Sequence, residues 1–181
     1  MIAPATRMLV PRGAAAWLER HGFENLEELS PGEEADVGSV TVCATPARHG
    51  GRRRPGGAFA EPVGFLVRGT RSVYFAGDTD LFDEMSGLAV SIDVALLPVW
   101  GWGPTLGPGH LDPERAVIAA IRLSPRTVVP IHWGTLALPR GLRGSLDPEQ
   151  PAQRFAAGMA ERAPQVEVRV IAPGERIVPE S

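Results

Sequence analysis

A chain of 181 residues, 44% hydrophobic and 22% charged, is long enough to bury one substantial core and too ordinary in composition to be disordered or fibrous. A formal net charge of -3 and the lack of any basic helix argue against nucleic acid as a partner. One cysteine, Cys43, excludes an internal disulfide framework; no apolar run reaches the length of a membrane span; and the opening M-I-A-P-A-T-R lacks the regions of a signal peptide, so the expectation is a soluble, cytoplasmic protein without a transmembrane segment.

Taken in order, Arg7–Val10 reads as a short strand, and Pro11-Arg12-Gly13 turns it into a helix over Ala14–His21. His21-Gly22 has the form of a helix end, which makes His21 a surface cap residue. Leu26–Val42 reads as two short strands, the second continuing as V-T-V-C-A-T-P-A to Arg48-His49-Gly50, with Cys43 a small core residue. Val63–Arg68 and Ser72–Ala76 form a hairpin about Gly69-Thr70. Leu81–Leu88 reads as a short helix and Ile92–Val99 as an apolar strand, followed by the Gly/Pro/Trp-rich loop W-G-W-G-P-T-L-G-P-G-H. Asp112-Pro113 opens the clearest helix, an N-cap Asp before Pro, with Ala116, Val117, Ala120 and Ile121 on one face and Pro125 ending it. Thr127–Ile131 is a strand, Pro151–Arg162 a helix, and Val166–Ile171 a last strand. No repeat or linker breaks the chain, so residues 1–181 read as one α+β domain with helices covering sheet.

Three strand ends stand out. His49 follows the strand ending at Ala47, Asp78 follows Val73–Ala76, and His132 follows Thr127–Ile131. If those strands are neighbours running the same way, an imidazole, a carboxylate and an imidazole converge on one sheet edge, a donor set suited to zinc and also to iron or manganese. Each residue alone has a plainer reading, Asp78 as a helix cap and each histidine as a structural residue. His110 lies in the long loop before the clearest helix, and long loops in compact domains tend to be functional.

The segments G-D-T-D (77–80), G-P-G-H-L-D-P-E-R-A-V (107–117) and P-I-H-W-G-T (130–135), with P-A-R-H (46–49), resemble the metallo-β-lactamase superfamily. The pattern is most similar to the branch containing N-acylphosphatidylethanolamine phospholipase D and ascorbate-6-phosphate lactonase-like proteins. The resemblance spans about Arg7 to Ile171. It implies a four-layer αββα sandwich with a two-zinc site, or Mn2+ or Fe2+ in place of zinc, at one edge. By that carry-over His49 is a ligand of the first metal, Asp78 bridges both and acts in catalysis, and His132 is a ligand of the second. His110 faces the substrate as an electrophile or acid, and a hydroxide held by the metals attacks phosphorus or a carbonyl carbon.

The superfamily's leading H-x-H-x-D-H is absent from these residues, which contain four histidines in all, no two in one motif. That leaves two ligands for each metal where catalytic zinc usually has three. The expectation is an N-terminally incomplete sandwich, its first strands and first metal motif encoded upstream of Met1. Arg52, Arg53 and Arg54 offer charge for a phosphate-bearing substrate, with a solvated loop as the plainer alternative. Trp100, Trp102 and Trp133 offer walls for an apolar pocket, with ordinary core packing as the alternative. The function expected is metal-dependent hydrolysis of a phosphodiester or lactone, from a small-molecule or lipid-like ester. The competing expectation is a shortened, non-catalytic module that docks a partner or a second copy through an exposed sheet edge, as a homo-oligomer would.

Overall fold

The computed structural model describes residues 2–51, 59–88, 91–100, 107–134, 147–172 and 174–176. The chain opens with strand β1 (Met8–Pro11), helix α1 (Ala15–Glu19) and strand β2 (Leu26–Leu29), where β1 and β2 pair in parallel as a small sheet. A second sheet contains β3 (Glu34–Val37), β4 (Val40–Pro46), β5 (Val63–Arg68), β6 (Ser72–Phe75), β7 (Val94–Pro98), β8 (Thr127–Ile131) and β9 (Glu167–Val168), in that spatial order. Helix α2 (Pro113–Leu123) joins β7 to β8, and α3 (Gln150–Arg162) joins β8 to β9. A 3-10 turn over Asp83–Gly87 occupies the place of the expected short helix.

Strand direction follows from the pairings. β3, β4, β5 and β6 pair antiparallel in succession, while β6, β7, β8 and β9 pair in parallel. β4, β6, β7 and β8 therefore run the same way, and the residues that follow them emerge at one edge. A brief connection makes β5–β6 a hairpin; the parallel pairs β7–β8 and β8–β9 need the crossovers that α2 and α3 provide.

Each face of the large sheet has its own cover. Leu66, Tyr74, Ala95, Leu97 and Val128 join Ala116, Val117, Ala120 and Leu123 of α2 and Phe155 and Met159 of α3 in the main core, together with Phe82 and Met85. On the opposite face Ala35, Ala44 and Leu29 form a smaller cluster with Leu9, Val63 and Phe65, so the β1–β2 sheet packs there. Two sheets face to face with helices outside the larger one is the sandwich the motifs implied.

Three details correct the sequence reading. β3 is an additional strand, so the region read as two strands holds three; E-A-D-V carries two acidic residues and little strand propensity, and it is held by pairing to β4 (Ala35 opposite Val42). Ile121 is 40% exposed, and the inward face of α2 is instead Ala116, Val117, Ala119, Ala120 and Leu123. The last strand is two residues long, not six. Cys43 is half-buried against the main core, and burial is the leading cause that pushes its thiol up.

α2 starts as its sequence dictates. The Asp112 carboxylate accepts from the Arg115 N–H at 2.8 Å, and Ser124 closes the helix in a left-handed conformation with its N–H donating to Ala120 O. Asp112→Ala is expected to cost about 1 kcal/mol, read as a lowered urea midpoint at unchanged slope. A midpoint equal to wild type would show that the cap contributes nothing.

Tyr74 is fully buried on β6, and burial pushes its phenol up to about 12. The folded state then holds a proton that the unfolded chain releases near pH 10. This contribution is constant below that pH and is lost between about pH 10 and 12, by roughly 3 kcal/mol at most. Tyr74→Phe should flatten that part of the stability-against-pH curve; an identical fall in wild type and variant would assign it to other groups.

Candidate metal centre

The common direction of β4, β6 and β8 brings the three strand-end residues to one edge. A ligand atom from each of His49, Asp78 and His110 lies within 4.8 Å of the others, and the His49 and His110 rings meet edge to face with centroids 4.8 Å apart. His132 Nε2 lies 3.3 Å from Asp78 Oδ1. Asp78 is thus the hub: His49 and His110 gather on it from the β4 end and the loop before α2, and His132 reaches it from the end of β8. Asp78 and His132 are exposed, His49 and His110 half-buried.

Each element aims its side chain for a local reason. Gly77 (φ +63) breaks β6 at once; a Cβ there would sit 3.0 Å from Val63 O, so glycine is needed for the turn into Asp78. His132 itself has φ +60, an unfavourable region for a residue with a Cβ, immediately after a fully regular β8. Such strain is maintained by surrounding contacts and clusters at functional sites. Here the contact is a 2.7 Å hydrogen bond between His132 Nδ1 and Trp100 O, beyond the end of β7. His49 Nδ1 makes the equivalent bond to Gly109 O at 2.9 Å. A carbonyl only accepts, so both Nδ1 atoms carry the proton, and in the neutral imidazole Nε2 is the free donor of a lone pair.

That tautomer pattern bears on whether the residues fit a metal. Orienting one ring nitrogen by a backbone carbonyl while the other binds is the usual arrangement of ligand histidines. In the neutral ring the His132 Nε2 lone pair and the Asp78 carboxylate, 3.3 Å apart, are two acceptors facing each other, an arrangement that a cation between them would satisfy. The donor set, imidazole nitrogen and carboxylate oxygen, suits Zn2+ and also Mn2+ or Fe2+. The residues present therefore fit a metal.

Other candidates fall differently. His110 joins the cluster from the loop, its Nδ1 3.4 Å from Gly107 O. Trp133 is half-buried against the main core, with its indole N–H donating to Pro130 O at 2.9 Å. Arg52, Arg53, Arg54 and Trp102 lie outside the described residues. His21 is exposed, with Nδ1 2.7 Å from Trp17 O, the capping place its sequence context indicated. The sequence reading passed over Asp80, whose carboxylate accepts from Gly109 N at 3.2 Å. Its only signal was its position two residues beyond Asp78 in G-D-T-D.

A family model described as "Beta-lactamase superfamily domain" matches residues 2–133. The chain belongs to this superfamily, and its fold is the metallo-β-lactamase sandwich. It is 32% identical over 167 residues to a UPF0173 metal-dependent hydrolase of Methanopyrus kandleri, covering 89% of this chain and 66% of that protein. It is 34% identical over 168 residues to another protein so described from Pelotomaculum thermopropionicum, at the same coverages. Among solved structures, Igni18, a metallo hydrolase from Ignicoccus hospitalis, superposes with a TM-score of 0.68 at 28% identity, covering 94% of this chain and 67% of that one. The chain thus spans just under two thirds of the length of these two curated relatives.

Proposed function

We propose that this chain carries the metal-binding edge of a metal-dependent hydrolase acting on a phosphodiester or lactone, in the branch that includes N-acylphosphatidylethanolamine phospholipase D and ascorbate-6-phosphate lactonase-like proteins. The observation that carries the reading is the gathering of His49, His110 and His132 about Asp78. The names of the similar proteins as metal-dependent hydrolases support it.

In this reading His49 and Asp78 hold a first zinc, Asp78 and His132 a second, within the one domain that residues 1–181 form or belong to. When bound, such a metal polarises the scissile bond and lowers the pKa of water to near neutrality. His110, half-buried beside His49 and Asp78, is placed to hydrogen-bond a substrate oxygen or to give a proton to the departing one. Arg52 attracts an anionic group and Trp133 borders the substrate. Asp78 and the two histidines supply two ligands per metal, and the remaining ligands belong, by the resemblance, to an H-x-H-x-D-H segment not among these residues. That shortfall favours a second reading, a binding module that holds metal weakly.

Metal content and turnover separate the two. The chain as it stands, purified without chelator and analysed for metals, is expected to contain zinc, and added Zn2+ is expected to raise hydrolysis of bis(p-nitrophenyl) phosphate or of a simple lactone. His110→Ala should then lower kcat about 100-fold with metal content unchanged. A folded protein without metal, inert on both ester classes under added Zn2+, would show that these residues alone are not the hydrolase.

A further inference from the structure

Asp80 ties together the loops that carry the cluster without belonging to it. Its carboxylate accepts from Gly109 N at 3.2 Å and from Leu81 N at 2.7 Å, and it pairs with Arg115 Nη2 on α2. Its own N–H donates to Arg48 O at 2.8 Å. Thr79, fully buried, accepts from Arg48 N at 2.9 Å through its hydroxyl, which in turn lies 2.9 Å from Asp80 O. Arg48 precedes His49, Gly109 precedes His110, and Gly109 O is the acceptor that orients His49. Gly109 sits at φ +93, where a Cβ would lie 3.4 Å from both Cα and Nδ1 of His49, so the two loops are in contact at this point.

Three loops distant from one another in the sequence are therefore fastened at one residue. We propose that Asp80, backed by Arg115, is a positioning residue that fixes the backbone at Gly109, accepting its N–H, and through the Gly109 carbonyl in the next peptide sets the ring orientation and Nδ1–H form of His49. Its side chain is 18% exposed against 44% for Arg115, so the carboxylate is the fixed partner and the guanidinium neutralises it from the solvent side. Both Asp80 oxygens have partners within the protein, which leaves the residue to shape the site and not to bind metal itself. Asp80→Asn keeps the shape but loses the charge that holds Arg115 and places an amide where one of the N–H donors now points. The backbone at Gly109 then shifts, its carbonyl moves with it, and His49 loses its acceptor.

The proposal rests on the metal-site reading above only for its effect on affinity; its effect on the His49 ring needs no metal. The test uses the full chain with Asp80→Asn and Arg115→Ala, and Glu114→Gln as control, which breaks only the exposed Glu114–Arg154 pair. Zn2+ affinity is measured by chelator competition, and the metal-free His49 ring by nitrogen-15 NMR. Asp80→Asn should bind Zn2+ about 10- to 100-fold more weakly and show His49 as a mixture of ring forms where wild type shows Nδ1–H alone. Arg115→Ala should shift both readouts the same way, with Arg115→Lys recovering part of the loss and Glu114→Gln leaving them unchanged. A purely structural ion pair would lower thermal stability and leave the His49 signals as in wild type, and that result overturns the proposal. If wild type itself takes up no Zn2+, the metal-site reading fails and the NMR signals alone decide the role of Asp80. If Asp80→Asn does not fold, Arg115→Ala decides on the same readouts.

Discussion

Asp78→Asn is expected to lower Zn2+ affinity by at least about 100-fold, more than the loss of an orienting partner typically causes, and to reduce ester turnover to background. Among the described residues, Asp78 is adjacent both to the His49–His110 pair and to His132. In the proposed two-metal reading, removing its charge would take a ligand from both positions at once. The fold should not suffer. Asp78 is exposed, and its contact with His132 joins two half-exposed side chains, an interaction worth well under about 1 kcal/mol. The melting temperature of the metal-free variant should lie within a few degrees of metal-free wild type. Elemental analysis and a chelator-treated melt check both halves; a variant retaining wild-type zinc would remove Asp78 from the ligand set.

The second large effect is on stability. Phe155→Ala should cost about 3–5 kcal/mol and lower the melting temperature by roughly 6–20 °C for a domain of this size. Phe155 is fully buried on the inward face of α3, between Ala152 and Met159, in the same core as Val117 and Val128. The helices cannot close on the vacated space easily. Gly158 already brings α3 so near α2 that a Cβ there would meet Val117 Cγ2 at 3.0 Å. Set against a total stability of about 5–15 kcal/mol, the loss is a large fraction. Calorimetry checks it, and a melt within about 2 °C of wild type would show that the α2–α3 layer is not the main stabilising contact.

How much of this was legible beforehand depended on whether the information was local. β8 has the limits its sequence indicated, Thr127–Ile131, because T-V-V-P-I is apolar and bounded by Pro125 and His132. The β5–β6 hairpin and the Asp112 cap were equally local. The convergence of His49, Asp78 and His132 at one edge required only that alternate strands run the same way, and they do. What escaped depends on partners distant in the chain. β3 exists because β4 lies beside it, and Ile121 faces out because α2 is rotated by its packing on α3 and the sheet. His110 was singled out by its place before the clearest helix and by the resemblance, but its contact with His49 and Asp78 depends on residues distant in the chain. The same is true of Asp80, whose partners Gly109, Arg48 and Arg115 are 29, 32 and 35 residues away in the chain.

The acceptors that orient His49 and His132 are the main-chain oxygens of Gly109 and Trp100. Every residue type carries such an oxygen, so no single exchange at either position deletes the acceptor atom itself. The identity of the side chains at these two positions therefore does not supply the acceptor; the path of the main chain does. What the arrangement cannot accept is an altered loop length: one residue inserted or removed beside Gly109 or Trp100 moves the oxygen by about 3 Å, more than a hydrogen bond tolerates. The device depends on loop length and on the contacts that hold the loops, not on which side chain the acceptor residue carries.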